Sequence, residues 1–364
     1  MIDHMREYGS EFDWEANSPF LLDVENVLTA KNLFWYRSGR DALKAVAMRY
    51  SRQCSTVFLP ALCCESMVQP FTQNGYKPVF YKFTKQLTAD LSDIKGKMPQ
   101  TCLFLYMNYF GAKAIEDQLL KELRQEYPLA VFIEDRTHDW LVKRRDTAFI
   151  PNYTVSSVRK WLAIPDAAYL ETSLPWTCTQ EIEYQFTQMR EEAMKLKSQY
   201  HTTGKTDQKY KFRMLLNKAT EILDIPNPPY AMSPTSQNLL KYVDFDKIVE
   251  QRTKNVHVLK KQLKDARHTG LLSFITEYPE NSTLYFPILV DNQSKVQTML
   301  AQQGVYCPVI WPTPNEARGC CEVSEYIAKH MLGLPCDQRY NQTNMNNIAV
   351  EVMQAIQKSL GVAY

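Results

Sequence analysis

Lys160 lies in the run Ser156-Ser157-Val158-Arg159-Lys160-Trp161-Leu162, and 25 residues before it the strand-like run Val131-Phe132-Ile133-Glu134-Asp135 ends in an aspartate, with His138 close behind. A carboxylate at a strand end can keep a heterocyclic nitrogen protonated through a charge-assisted hydrogen bond. A lysine amine beyond the next strand can capture an aldehyde as a Schiff base, provided its pKa is low enough for the free amine to attack. Those are the demands of one cofactor, pyridoxal 5'-phosphate (PLP), which acts as an electron sink only while its ring nitrogen stays protonated.

The cofactor's phosphate makes a further demand, a turn of backbone amides before a helix, where the helix dipole favours an anion. Arg37-Ser38-Gly39-Arg40-Asp41 supplies such a turn: Gly39 permits close approach and Ser38 offers a hydroxyl. Ser157, three residues before Lys160, is a second candidate donor to the phosphate. His138 has two candidate tasks, reaching the ring's phenolic oxygen or fixing Asp135. Each residue alone has a plainer explanation. Ser-Gly before a helix is an ordinary cap, an aspartate after a strand is a turn former, a histidine can be a satisfied structural residue, and most lysines are simply exposed. The ordered set, Ser-Gly turn, Asp135, Ser157 and Lys160, is what points to PLP.

The elements that must position this set alternate in type. An apolar-periodic helix over 41–48 follows the Ser38-Gly39 turn, and Thr56-Val57-Phe58-Leu59-Pro60 reads as a short buried strand. A helix over 65–74, a strand at 78–81, a very apolar strand at 102–106, a helix over 116–126 and a strand at 129–134 follow. Strands separated by helices need crossover connections, so the sheet is expected to be mostly parallel and covered on both faces. After Lys160 come a strand at 168–171 and a long helix whose Ile182, Phe186, Met189, Ala193 and Leu196 form one stripe, with Thr177 and Gln180 resembling a capping box at its start. The stretches 201–207 and 225–229 read as loops. A helix over 246–266, with Val249, Val256, Leu259 and Leu263 on one face, is expected to bridge to a smaller α/β domain with strands at 284–290 and 305–311 and a helix over 295–302. The expected division is therefore 1–245, a large cofactor-binding domain, and 246–364, the bridging helix and small C-terminal domain.

Composition narrows the class. With 364 residues, 45% of them hydrophobic and 12% aromatic, the chain can bury a core large enough for two domains. Forty-two Lys and Arg against 40 Asp and Glu leave +2, no charge excess that recommends nucleic acid or an anionic membrane. Lys143-Arg144-Arg145 reads as a solvated face. Met1-Ile2-Asp3-His4-Met5-Arg6-Glu7 lacks the apolar stretch of a signal peptide, and no later run is long enough to span a bilayer, so a cytoplasmic address is expected. Nine cysteines, with Cys63-Cys64 and Cys320-Cys321 as adjacent pairs, suggest reduced, buried thiols rather than disulfides or a metal site. Asn281-Ser282-Thr283 matches a glycosylation acceptor, which carries no meaning without secretion.

The chain resembles the DegT-type sugar aminotransferases, PLP enzymes of fold type I. The likeness rests on Ser38-Gly39-Arg40 with Ala42-Leu43, on Leu59-Pro60, on Asn108-Tyr109-Phe110-Gly111, on Glu134-Asp135-Arg136-Thr137-His138, on Ser157 to Lys160, and on Leu334-Pro335. It implies an α/β fold of type I, a homodimer, PLP carried on Lys160, and transfer of an amino group from an amino acid to a keto sugar, of the kind attached to nucleotides in surface-polysaccharide or antibiotic pathways. Retention of Lys160 argues against the family's dehydratase branch, where a histidine replaces the lysine. Three departures stand out: Ile164-Pro165-Asp166-Ala167-Ala168 where the family has a Gly-rich loop, Cys64 where an aromatic stacks on the cofactor, and Pro229-Tyr230-Ala231-Met232 where an Asn-Tyr-Arg-Met reaches the neighbouring subunit's phosphate. They motivate a second expectation, a non-catalytic member of the fold that serves as a binding or scaffold protein. Decarboxylation or aldol cleavage would use the same residues. Arg339 is read either as a clamp for a carboxylate or phosphate or as a surface arginine.

Overall fold

The computed structural model describes residues 7–22, 32–141, 148–268 and 282–361. The basic run 143–145, residues 1–6 and Asn281 of the glycosylation-like triplet lie outside the described residues. In chain order the strands are Tyr8–Gly9 (β1), Leu33–Tyr36 (β2), Thr56–Pro60 (β3), Lys77–Tyr81 (β4), Leu103–Met107 (β5), Val131–Asp135 (β6), Tyr153–Ser156 (β7), Ala168–Glu171 (β8), Phe286–Leu289 (β9), Val305–Tyr306 (β10) and Met331–Leu334 (β11). The α-helices are Gly39–Tyr50 (α1), Glu65–Thr72 (α2), Leu91–Lys97 (α3), Asp117–Glu126 (α4), Tyr184–Thr203 (α5), Thr206–Asp224 (α6), Pro234–Leu240 (α7), Phe245–Gln262 (α8), Lys264–His268 (α9), Gln293–Gln302 (α10), Glu322–His330 (α11) and Gln342–Ser359 (α12).

Seven strands form one sheet in the order β2-β8-β7-β6-β5-β3-β4. The five strands from β7 to β4 run parallel, and β8 pairs antiparallel with both β7 and β2. This is the mostly parallel α/β sheet expected from the alternating pattern. Its central strands are apolar throughout, Leu103-Phe104-Leu105-Tyr106-Met107 being buried at every position, because helices cover both faces. The short crossovers also explain the site's location: β5, β6 and β7 end together, with Met107 opposite Asp135 and Asp135 opposite Val155.

The smaller C-terminal part is built on the antiparallel pair β9 and β11 with α10, α11 and α12, and α12 packs along α8. The N-terminal strand β1 joins this part, since Tyr8 and Gly9 pair with Val305 and Tyr306 of β10. Among the described residues no helix is long and apolar enough to cross a membrane. All nine cysteines lie among them and are free thiols.

Several local expectations need correction. The long helix α5 begins at Tyr184 and is capped by Glu183, whose carboxylate accepts from the amides of Gln185 and Phe186, so Thr177 and Gln180 form no capping box and Ile182 lies before the helix. The polar stretch 201–207 is largely helical: α5 runs to Thr203, only Gly204 and Lys205 break it, and α6 follows for 19 residues. Gly204 ends α5 at φ 68°, a left-handed cap that glycine adopts without strain. The run 305–311 is a strand only at Val305–Tyr306, beyond which Pro308 and irregular backbone lead to Trp311. The helix at 246–266 is interrupted at Leu263, giving α8 and α9.

Candidate functional site

At the carboxyl ends of β5, β6 and β7 a small cavity of about 80 Å³ opens. Ser38, Gly39, Arg40, Cys64, Asp135, Ser157 and Lys160, seven of the eight residues singled out in the sequence, line it together. The carboxyl ends of parallel strands are where open α/β sheets place ligands, because the connections splay apart there and leave helix N-termini facing the gap.

Part of the cavity wall is the start of α1. Ser38 caps α1, its hydroxyl accepting from the Asp41 amide at 3.2 Å, and the first amides of α1 at Gly39 and Arg40 therefore stand at the cavity wall. A side chain at residue 39 would bring a Cβ to 3.6 Å of the Ser157 Cβ, so the Ser-Gly turn and the Ser157 segment close on each other across the cavity. Among the described residues the Ser157 hydroxyl makes no hydrogen bond, whereas its amide donates to the Thr137 hydroxyl at 3.2 Å. The Asp41 carboxylate, which sits close by, is neutralised by a paired contact with Arg37 at 2.9 and 3.0 Å. Arg40 lines the cavity while its guanidinium pairs with Asp224 at the end of α6.

The same cavity holds a carboxylate. Asp135 is buried, accepts from the Thr137 amide at 2.7 Å, and is also bonded by the Thr137 side chain. Burial pushes its carboxyl pKa up in spite of those bonds and of the Lys160 charge, so a cationic ring nitrogen placed against it would relieve an incompletely compensated charge. Lys160 is half-buried at the end of the short turn Val158–Lys160. Burial holds its pKa below the ordinary lysine value, Cys64 and Asp135 pull it back up, and Arg159 and Arg40 press it further down. The cavity thus brings together the Ser157 hydroxyl, the start of α1, a buried carboxylate and an amine of lowered pKa.

His138 departs from expectation. It is almost fully buried, is not among the residues lining the cavity, and makes no hydrogen bond to Asp135. Its ring lies between Phe110, centroids 4.6 Å apart, and Trp311, 5.1 Å apart, and its Nδ1 has no partner. Burial, aided by the Lys160 charge, holds its pKa well below the usual histidine value, so the ring is neutral. The role of fixing the aspartate falls to Thr137 instead, a residue inside the same motif that the sequence reading passed over. Trp311 was also missed. It lines the cavity from the C-terminal part, brought there by irregular backbone that no sequence periodicity announces.

Cys64 stands at the start of α2 with its thiol 2.9 Å from the Ser66 hydroxyl, so position 64 offers no ring to the cavity, and Trp311 is the aromatic side chain in the wall. Arg339 is neither an open clamp nor a surface residue. Asp337 holds it at 2.8 and 2.9 Å, it donates to the carbonyls of Glu11, Gly9 and Ser10, and it ties down the N-terminal segment. Behind Lys160, the fully buried Arg252 of α8 donates to Gln338 at 2.8 Å, to the Thr283 carbonyl at 3.0 Å and to the Trp161 carbonyl at 3.3 Å, and Gln338 adds a 2.8 Å bond to the same Trp161 carbonyl. The lysine segment is thereby fastened to the C-terminal part.

Residues 237–353, running from α7 into α12, match the DegT/DnrJ/EryC1/StrS aminotransferase family. The match covers about a third of the chain. The expected enzyme class, aminotransferase, and the expected cofactor, PLP, stand with that match, although Asp135 and Lys160 precede the matched residues. No curated protein matches the chain in sequence. Solved structures match over most of its length: Helicobacter pylori PseC, an aminotransferase involved in the biosynthesis of pseudoaminic acid, at 13% identity over 97% of this chain and 100% of that one with a TM-score of 0.60; S. venezuelae DesV in complex with a ketimine intermediate, at 15% identity over 97% and 90% with a TM-score of 0.60; and Bacillus subtilis NtdA with bound cofactor PMP, at 14% identity over 89% and 73% with a TM-score of 0.61. At these identities the likeness is one of fold.

Proposed function

We propose that the protein is a PLP-dependent aminotransferase that moves an amino group from an amino acid to a keto sugar, with the cofactor carried on Lys160. The observation that carries this reading is that Asp135 and Lys160, together with the Ser38-Gly39 turn and Ser157, line a single cavity at the strand ends.

When bound, PLP supplies an electron sink for negative charge developing on a substrate carbon. Asp135, fixed by Thr137, would hold the ring nitrogen in its protonated form. Ser157 and the α1 amides would bind the phosphate, with Ser38, whose hydroxyl donates to Asp41, shaping the turn and Arg40 adding charge at the rim. The lowered pKa of Lys160 leaves more of its amine unprotonated at neutral pH, so Nζ can accept a proton and return it to a neighbouring carbon. Trp311 lines the cavity with the His138 and Phe110 rings packed behind it, and a neutral His138 would add no positive charge to compete with the ring nitrogen.

The sugar acceptor, a homodimeric assembly, a role in polysaccharide biosynthesis, a cytoplasmic address and the division into 1–245 and 246–364 belong to the same proposal. The sugar is supported by the DegT match and by the relation of PseC to pseudoaminic acid. The homodimer is supported by the exposed Tyr184, Tyr210 and Met214 on the α5 and α6 hairpin, apolar surface that a second copy would cover.

Cys64, Pro229 and Ala231 favour the second reading, a scaffold protein without catalysis. A lysine kept half-buried beside a buried carboxylate weighs against it, since a scaffold has no need to retain that pair. The deciding experiment is to incubate the protein with PLP, follow absorbance in the visible range and amine transfer from glutamate, and repeat with Lys160→Ala. The aminotransferase reading expects colour and transfer in the parent protein and neither in the variant. A parent protein that stays colourless and inactive would favour the scaffold.

A further inference from the structure

Beyond Lys160 a second, wider cleft of about 560 Å³ opens toward β10 and α10. The two cavities share only Arg159 and Lys160 in their walls. We propose that Arg159 is the specificity-determining residue for the amino donor, binding its carboxylate where the cofactor cavity meets the outer cleft. This assignment rests on the aminotransferase reading and adds to it the residue that recognises the donor.

Three observations carry it. First, the Arg159 guanidinium is uncommitted: Nε has no hydrogen-bond partner, and Nη1 approaches Glu11 only to 3.9 Å, beyond hydrogen-bond range. Second, the one carboxylate nearby is already taken, because Arg190 holds Glu11 at 2.8 Å and is itself anchored on the Pro165 carbonyl at 2.5 Å. Glu11 is shared by Arg190 and, at longer range, Arg159, so with Asp135 alone near Lys160 the shared wall keeps an excess of positive charge. Third, the position suits the chemistry. The carboxylate of an α-amino acid is bonded to the carbon that also bears the amine, so whatever binds it must lie within a few ångström of the amine that exchanges with it. Arg159 precedes Lys160 on a turn fixed by the bond from the Arg159 amide to the Ala167 carbonyl at 3.1 Å. Its planar fork matches a carboxylate better than a sugar hydroxyl. Burial, reinforced by Arg190 and Arg40, pushes its pKa down to about 10, which an arriving anion would reverse.

The wider cleft leaves room for the remainder of the donor. It is bordered by the hydroxyl-bearing Tyr306 and Thr298 and by Gln297, polar groups that suit a chain with a second polar end.

The test is calorimetric titration with maleate, a dicarboxylate that has no amine to transfer, on the protein with and without PLP. Arg159→Gln and Arg159→Lys are compared with the parent, and PLP affinity is measured separately by fluorescence. Loss of a charge-assisted, two-point contact predicts that Arg159→Gln weakens maleate and raises the KM for the amino donor roughly 10- to 100-fold, while PLP affinity changes by less than about threefold. Arg159→Lys recovers part of the loss and serves as the informative variant if the glutamine form folds poorly. Maleate binding by Arg159→Gln within about twofold of the parent, or inorganic phosphate outcompeting maleate at this residue, overturns the assignment. If the parent protein fails to bind PLP, the aminotransferase reading fails, and the titration of the cofactor-free protein still decides whether Arg159 binds a carboxylate.

Discussion

Replacing Arg252 is expected to cost more than any other single change outside the cavity. The side chain is fully buried on α8, where burial depresses its pKa, and it is held by the 2.8, 3.0 and 3.3 Å bonds to Gln338, Thr283 and Trp161, with its guanidinium carbon 4.5 Å from the Trp161 ring centre. Hydrogen bonds from a charged donor contribute about 1.5–3 kcal/mol each, and a desolvated cation–π contact adds about 2 kcal/mol, but removing the charge also removes its desolvation penalty. Arg252→Leu therefore has a net cost of about 3–5 kcal/mol, set mainly by the Thr283 carbonyl and the Gln338 amide oxygen left without donors in the core. Arg252→Lys keeps the charge but cannot span three acceptors, and should lose about 2 kcal/mol. Urea unfolding followed by tryptophan fluorescence measures both. A loss below about 1 kcal/mol for Arg252→Leu would refute the view that this arginine fastens the lysine segment to the C-terminal part.

Other predictions follow from the same geometry. The folded-state pKa of His138 is depressed, so the unfolded chain binds more protons below the ordinary histidine value of 6.5, and stability should be lost as pH falls through that value. His138→Gln should flatten the dependence between about pH 6 and 5 by up to about 1.4 kcal/mol per pH unit, and unchanged slopes in urea titrations at several pH values would count against a neutral, buried ring. Asp135→Asn removes the charge that would hold a protonated ring nitrogen, and should weaken PLP binding by roughly 10- to 100-fold in a fluorescence titration, whereas an equal affinity would remove Asp135 from the site. Lys160→Met removes an amine whose protonated form burial disfavours, so it should raise the melting stability of the cofactor-free protein by about 1 kcal/mol near neutral pH.

The parallel sheet was legible because its strands are short, continuous apolar runs between amphipathic helices; the run 56–60 coincides with β3 and 168–171 with β8. The cavity was legible for a related reason, since Asp135 and Ser157 follow strands that end side by side, and a Ser-Gly turn before a helix is a local signal. What escaped is what tertiary contact decides. The helix α6 buries only Phe212, Ala219 and Leu223 deeply, too sparse an apolar stripe to stand out in a polar segment, and it forms by packing along α5. Trp311 reaches the cavity from more than 150 residues beyond Lys160 through backbone with no period. His138 was placed by its spacing from Asp135, but the aromatic rings of Phe110 and Trp311 claim it. Arg339 looked like surface because its partners, the carbonyls of residues 9–11, are more than 300 positions away.

The central claim is that Lys160 and Asp135 line one cavity that takes PLP. Incubating the protein with PLP, reducing with borohydride and mapping the peptides by mass spectrometry tests it most directly. The account predicts one pyridoxyl mass addition, on the peptide containing Lys160, and its loss in Asp135→Asn at limiting PLP. No addition, or one spread over exposed lysines with Lys160 unmodified, would contradict it.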